Sequence, residues 1–176
     1  MVASDGRAVR LSELRGKKNV VLYFYPADFT MVCTREACGF REAYPDLVQR
    51  DTEVIGVSSD SNASHNRFAE THRVPFPLIA DESRALSDKY DAKSFIHALF
   101  GRAKRVTYVI DKAGKIAGVF EGELNAASHV EGPRNLVVRL DEVGLAARVQ
   151  ASEAARRAAS PTTVEDVGKS LPSPNG

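Results

Sequence analysis

The chain has 176 residues, 43% hydrophobic and 27% charged, the size and balance of one soluble domain with an ordinary core. Twenty-four Lys and Arg stand against 23 Asp and Glu, a net charge of +1 with no long basic run, so no nucleic acid is expected as a partner. No apolar run reaches the roughly 20 residues of a membrane span, and the start MVASDGRAVR lacks the apolar stretch of a signal peptide; with only two cysteines, a cytoplasmic protein that keeps its thiols for reactivity is expected.

Asn19 to Tyr25, NVVLYFY, is a short β-branched and aromatic run that suits a strand buried on both faces, ended by Pro26. From about Cys33 to Arg50, the residues Glu36, Ala37, Phe40, Arg41, Leu47 and Val48 fit a helix, with a kink or break at Pro45. Glu53 to Ser58 is a second strand. Asp60 or Ser61 caps the next helix, which carries Phe68 and Ala69 inward and ends near His72. The prolines around Phe76 to Ala80 confine that short strand to an edge or a strand start, and Glu82 to Tyr90 reads as a helix.

Ala92 to Lys104 has no clear period and suits a long loop. Val106 to Ile110 and Ile116 to Glu121 read as a hairpin turning at Gly114. Pro133 at a first helical position, then Leu136, Val137, Leu140 and Val143, mark a last helix that ends near Gly144. The alternation predicts an α/β fold with parallel pairing, helices on both faces and an antiparallel edge. Beyond about Arg148 the composition turns to Ala, Ser, Thr and Pro. This gives a domain over residues 1–148 and a flexible tail over 149–176, with one helical stretch from Ala151 to Ala159.

Both cysteines lie in YPADFTMVCTREACGF, five positions apart. A thiol at a helix N-terminus after a central strand faces free backbone N–H groups and the positive end of the dipole, which favours thiolate over thiol and makes Cys33 the reactive one. On an ideal helix, positions i and i+5 separate their Cα atoms by roughly 8 to 9 Å. A disulfide tolerates at most about 7 Å. A permanent Cys33–Cys38 bond is therefore disfavoured, and a transient bond needs local unwinding. His65, His72, His97 and His129 show no ligand spacing with the cysteines, so no metal is expected, and each suits the surface or a local hydrogen bond. By residue type alone, Thr30 suits a helix cap, Arg105 a solvated strand-edge charge and Glu36 a dipole-favoured acid. Phe29, Phe40, Phe95 and Phe100 suit core or loop packing.

The pattern Pro26-Ala-Asp-Phe-Thr30-Met-Val-Cys33, followed by Thr34-Arg-Glu36-Ala-Cys38, resembles the peroxiredoxins, and the second cysteine five residues on resembles their PrxQ or bacterioferritin comigratory protein subgroup. The similarity runs from about Asp5 to Leu145. It implies a thioredoxin-like fold, a central mixed β-sheet flanked by helices on both faces, and a thiol peroxidase that uses no cofactor. Cys33 would be the peroxidatic thiolate, Thr30 would hold the sulfur and the peroxide oxygen, and Arg105 would keep Cys33 ionised. Glu36 would orient Arg105, Pro26 would shield the pocket, and Cys38 would resolve the sulfenic acid as an intramolecular disulfide. Thioredoxin, or glutaredoxin, would reduce it, and a monomer suffices for such a bond.

Three departures mark the chain, one of them the Ser-Pro-rich tail beyond Arg148, which lies outside the resemblance. Met31-Val32 stands where the subgroup has Pro-Gly, which makes the pocket rim more apolar. The chain starts near the Asp-Gly that follows an early strand or hairpin in family members, which leaves a trimmed edge or a misassigned start. Two other readings use the same residues: a thioredoxin-like disulfide reductase, against which the missing C-x-x-C counts, and a redox sensor or holdase.

Overall fold

The computed structural model describes residues 1–93, 102–122 and 125–159. Its elements in chain order are α1 (Leu11–Leu14), β1 (Asn19–Phe24), α2 (Met31–Gln49), β2 (Thr52–Ser58), α3 (Asn62–His72), β3 (Leu78–Ala80), α4 (Ala85–Lys89), β4 (Val106–Ile110), β5 (Ile116–Glu121) and α5 (Ala126–Ala159). Five strands form one sheet in the order β3-β2-β1-β4-β5. β1 pairs in parallel with β2, and β2 with β3, whereas β4 runs antiparallel to both β1 and β5. The sheet is mixed, with short β3 at one edge and the β4–β5 hairpin at the other, as the prolines and the turn at Gly114 predict.

β1 is central because every one of its six residues is buried, which a strand can satisfy only with layers on both sides. Val21, Tyr23, Val54 and Val109 face Ala37, Phe40 and Leu47 of α2, Phe68 of α3 and Val130 and Val137 of α5. On the other face Val20, Leu22, Phe24, Ile55, Val57 and Val106 meet Leu11 and Leu14 of α1, Leu86 of α4 and Tyr90. Close packing extends to the backbone. A Cβ on Gly56 would come within 2.7 Å of the Tyr23 hydroxyl and 2.7 Å of Leu78 Cδ2, so this strand position has room for glycine alone.

Several boundaries differ from the sequence reading. α2 begins at Met31, two residues before Cys33, and Pro45 lies inside it without ending it. Phe40, Ala43 and Leu47, on both sides of the proline, are buried on one face, and that tertiary burial offsets the missing N–H. α4 is a five-residue helix, shorter than the predicted Glu82 to Tyr90. α5 begins seven residues before Pro133, with the Ser128 N–H donating to Asn125 Oδ1 as a helix cap. It also continues past Gly144 to Ala159, through AARVQASEAARRAA, a run of strong helix formers. The chain divides into two units, Met1–Glu142 and Val143–Gly176. Most of the loop predicted between Ala92 and Lys104, with Phe95, His97 and Phe100, lies outside the described residues. So does the tail from residue 160.

Candidate active site

β1 ends at Phe24, and the segment Tyr25 to Thr30 leads into α2, so Cys33 stands in the first turn of that helix at the carboxyl end of the central strand. Cys33 is buried, 1% exposed, and Cys38, farther along the same helix, is half-buried; both thiols are free. Topology brings the third partner. Because β4 is antiparallel to β1 with Phe24 opposite Val106, Arg105 lies beside the end of β1 where α2 starts. Arg105 is only 3% exposed, which rules out a solvated strand-edge charge.

The Arg105 guanidinium spans two groups of α2. Nη1 donates to Glu36 Oε2 and Nη2 donates to Cys33 Sγ at 3.0 Å. Burial works against the guanidinium charge, but the negative groups at Glu36 and Cys33 outweigh it, and Arg105 is held more firmly protonated than usual. Glu36 is fully buried and faces His129 of α5, whose Nδ1 lies 3.8 Å from Oε1. His129 in turn contacts Thr107 Oγ1 at 3.0 Å through Nδ1 and the Gly122 carbonyl at 2.8 Å through Nε2.

Thr30 occupies the N-cap position of α2, yet its side chain makes no capping bond; its hydroxyl donates to the Ala27 carbonyl at 3.2 Å. Its proton is thus committed, and the oxygen keeps lone pairs for an incoming donor. Pro26 is half-buried in the same loop. Phe29, between Asp28 and Thr30, has a φ of 58°, a left-handed conformation that costs a bulky residue roughly 1–3 kcal/mol. It is 50% exposed and Met31 is 69% exposed, so this rim is apolar, as Met31-Val32 implies.

Arg105, Glu36 and Cys33 come together in direct contact, and Thr30 and Pro26 lie on the loop leading to Cys33. The sequence reading missed the histidines. His65 and His129 are both fully buried and hydrogen-bonded, so of the two expectations, surface or local bond, the surface one fails, and their place beside the site was not anticipated. For His65 a signal exists, since it precedes the inward Phe68 and Ala69 by three and four positions on α3. A cavity of about 550 Å³ between α2 and α5, lined by Val32, Arg35, Gly39, Glu42, Val130 and Arg134 among others, has neither thiol in its wall. Among the described residues no cluster of three or more His, Cys, Asp or Glu could hold a metal, and no helix is long and apolar enough to cross a membrane.

The sequence profile of the AhpC/TSA family matches residues 1–119. Chloroplastic peroxiredoxin Q of Triticum aestivum is 42% identical over 127 residues, covering 72% of this chain and 57% of the wheat protein. Peroxiredoxin Bcp of Bacillus subtilis is 41% identical over 115 residues, 63% of this chain and 72% of the bacterial one. The crystal structure of peroxidoxin BcpB from Mycobacterium tuberculosis, 30% identical, superposes with a TM-score of 0.72 over 79% of this chain and 90% of that one. The match thus spans little more than half the length of the wheat relative. With a mixed sheet covered by helices on both faces and this set of relatives, the chain belongs to the AhpC/TSA family, in its peroxiredoxin Q and Bcp branch with a thioredoxin-like fold.

Proposed function

We propose that this chain is a thiol peroxidase that reduces hydrogen peroxide and organic hydroperoxides at Cys33. The observation that carries the reading is the 3.0 Å contact between Arg105 Nη2 and Cys33 Sγ in a buried site. A guanidinium donating to sulfur stabilises the thiolate, the form that attacks a peroxide. The thiolate displaces on the nearer peroxide oxygen: an S–O bond forms, the O–O bond breaks, and the alkoxide or hydroxide leaves and takes up a proton. Cys33 is oxidised to sulfenic acid and the hydroperoxide is reduced to an alcohol or water.

Each neighbour has a task in this step. Arg105 stabilises charge as it moves from sulfur to the leaving oxygen. Glu36 orients Arg105. Thr30, its proton held by Ala27, accepts from the hydroperoxide O–H and so aligns the O–O bond with the sulfur. Pro26 shields the sulfur from water.

Cys38 then attacks the sulfenic sulfur, water leaves, and an intramolecular disulfide forms, which protects Cys33 from further oxidation. Both cysteines lie on α2, so helix spacing forbids the bond until the first turns of α2 unwind. A dithiol reductant, thioredoxin or alternatively glutaredoxin, exchanges with the disulfide and restores both thiols. One copy of residues 1–148 suffices for this cycle, with residues 149–176 as an appended tail, and a reducing compartment such as the cytoplasm keeps the resting thiols free.

The test is hydroperoxide consumption coupled to thioredoxin and its reductase. Wild type turns over, Cys33→Ser does not, and Cys38→Ser loses the thioredoxin-driven cycle. Full activity in Cys33→Ser would defeat the reading.

A further inference from the structure

The segment Tyr25-Pro-Ala-Asp28-Phe29-Thr30 leads to the reactive cysteine, and Ser64-His65 lies on α3, 36 and 37 positions away from Asp28. The fold joins them in a buried polar knot beside the thiol site. The side chains of His65 and Asp28 are 0% and 1% exposed, and His65 Nδ1 lies 2.9 Å from Asp28 Oδ2. The other ring nitrogen, Nε2, lies 3.2 Å from the carbonyl of Ile79 on β3.

Hydrogen counting fixes what this arrangement requires. A backbone carbonyl only accepts, so Nε2 carries a proton. A carboxylate also only accepts, so Nδ1 needs one too; a bare Nδ1 would oppose its lone pair to that of Asp28 at hydrogen-bond distance. Tyr25 supplies no alternative proton to the ring, because its hydroxyl donates to Asp28 Oδ1 at 2.8 Å and lies 3.4 Å from Nδ1. Ser64 Oγ donates to Asp28 Oδ2 at 2.8 Å. Burial would raise the Asp28 carboxyl, but bonds from His65, Ser64 and Tyr25 outweigh it and hold it below the ordinary range. The other acid in the knot is Asp60, which accepts from the Asp28 backbone N–H at 2.8 Å and from Ser58 Oγ at 2.7 Å.

Asp28 is therefore tied by its backbone to Asp60, just beyond β2, and by its carboxylate to Tyr25, just beyond β1, and to Ser64 and His65 of α3. The next residue is Phe29, in its left-handed conformation, and the one after is Thr30. A strained residue persists only where its neighbours over-determine it. Asp28 supplies that constraint on one side, and the Thr30 to Ala27 bond supplies it on the other.

We propose that a buried His65 imidazolium and Asp28 carboxylate pair is a positioning element of the peroxidase site, clamping the loop so that Thr30 faces the substrate of Cys33. The role rests on the thiol peroxidase reading. Loss of the pair lets Phe29 relax and turns Thr30 away, while Cys33 and its Arg105 contact stay in place. Reaction with a hydroperoxide, which needs Thr30, then falls; reaction with a reagent that needs only the thiolate does not.

Two measurements on the reduced full-length protein test this. Rates of Cys33 oxidation by hydrogen peroxide and of Cys33 alkylation by iodoacetamide are compared in wild type, His65→Gln, His65→Asn and Asp28→Asn. Oxidation falls about 10- to 100-fold in His65→Gln and Asp28→Asn while alkylation stays near the wild-type rate, and His65→Asn, which keeps a donor toward Asp28, recovers part of the loss. Unchanged oxidation, or oxidation and alkylation falling by one factor, would overturn the proposal. Nitrogen-15 NMR of the wild-type His65 ring, which requires neither a variant nor peroxide, shows both nitrogens protonated at pH 7; a neutral ring would overturn it independently. Wild type that fails to react with peroxide would instead defeat the peroxidase reading, and the NMR result would still decide the ion pair.

Discussion

Arg105 and Cys33, 72 positions apart in the chain, meet with Nη2 3.0 Å from Sγ, while the same guanidinium holds Glu36 through Nη1. The contact exists because β4 is antiparallel to β1, which returns the residue before β4 to the start of α2. One planar fork thereby serves two acceptors, a geometry lysine cannot reproduce. Arg105→Lys lowers the rate of Cys33 oxidation by hydroperoxide about 10²- to 10³-fold, the usual loss when one preorganised donor to a developing charge is removed. Stopped-flow mixing of reduced protein with peroxide checks it, and a lysine variant as fast as wild type would show that the fork is dispensable.

Glu36 and Arg105 are both almost completely buried, 0% and 3% exposed. Taking away one member of a buried ion pair costs about 3–5 kcal/mol, most of it the desolvation of the charge left behind. Glu36→Ala is therefore expected to lower unfolding free energy by about that amount in urea titration. Glu36→Gln, which keeps an acceptor oxygen, loses less stability but slows peroxide reduction because the guanidinium is less firmly aimed.

Gly56 predicts a purely steric effect. Its Cβ would press on the Tyr23 hydroxyl and on Leu78 inside the sheet. Gly56→Ala destabilises by about 1–3 kcal/mol through overpacking. Equilibrium denaturation should show the loss.

The five tyrosines carry a pH signature. Burial raises Tyr23 and Tyr25 well above the ordinary value of 10, and raises Tyr90 and Tyr108 as well. Burial, together with the charge of Glu53, pushes Tyr44 up to about 12. The folded state thus holds protons that the unfolded chain releases at lower pH. The stability these groups contribute is full below pH 10 and is lost as pH rises from 10 toward the folded values. Tyrosinate absorbance should rise later than for free tyrosine, and the part due to fully buried Tyr23 and Tyr25 should appear only together with loss of circular dichroism. A graded titration centred at 10 in the folded protein would contradict this.

How far the sequence shows these features depends on whether their cause is local. The run NVVLYFY announces a doubly buried strand, and Gly114 and the β-branched flanks announce the hairpin, because period and turn chemistry are properties of short segments. Gly144 misleads for the converse reason, and so does the break considered at Pro45. The local cost is outweighed, by burial of Phe40 and Leu47 for the proline and by an alanine-rich continuation for the glycine. Cys33 at a helix N-terminus is legible from spacing. Its pairing with Arg105 is not, since no local rule links residues 72 apart, and there the family resemblance supplied the expectation. Nor does local pattern reveal the Asp28–His65 or Glu36–His129 contacts, which exist only once three elements have packed.

In the proposed cycle Cys33 takes oxygen from a hydroperoxide and Cys38 then displaces it within one chain. Reduced protein mixed with one equivalent of hydrogen peroxide and followed by intact mass tests this most directly. Wild type should lose the two thiol hydrogens as an intramolecular disulfide, Cys38→Ser should gain a single oxygen at Cys33, and Cys33→Ser should remain unchanged. Oxidation of Cys33→Ser at the wild-type rate, or a wild-type product joined between two chains, would rule this cycle out.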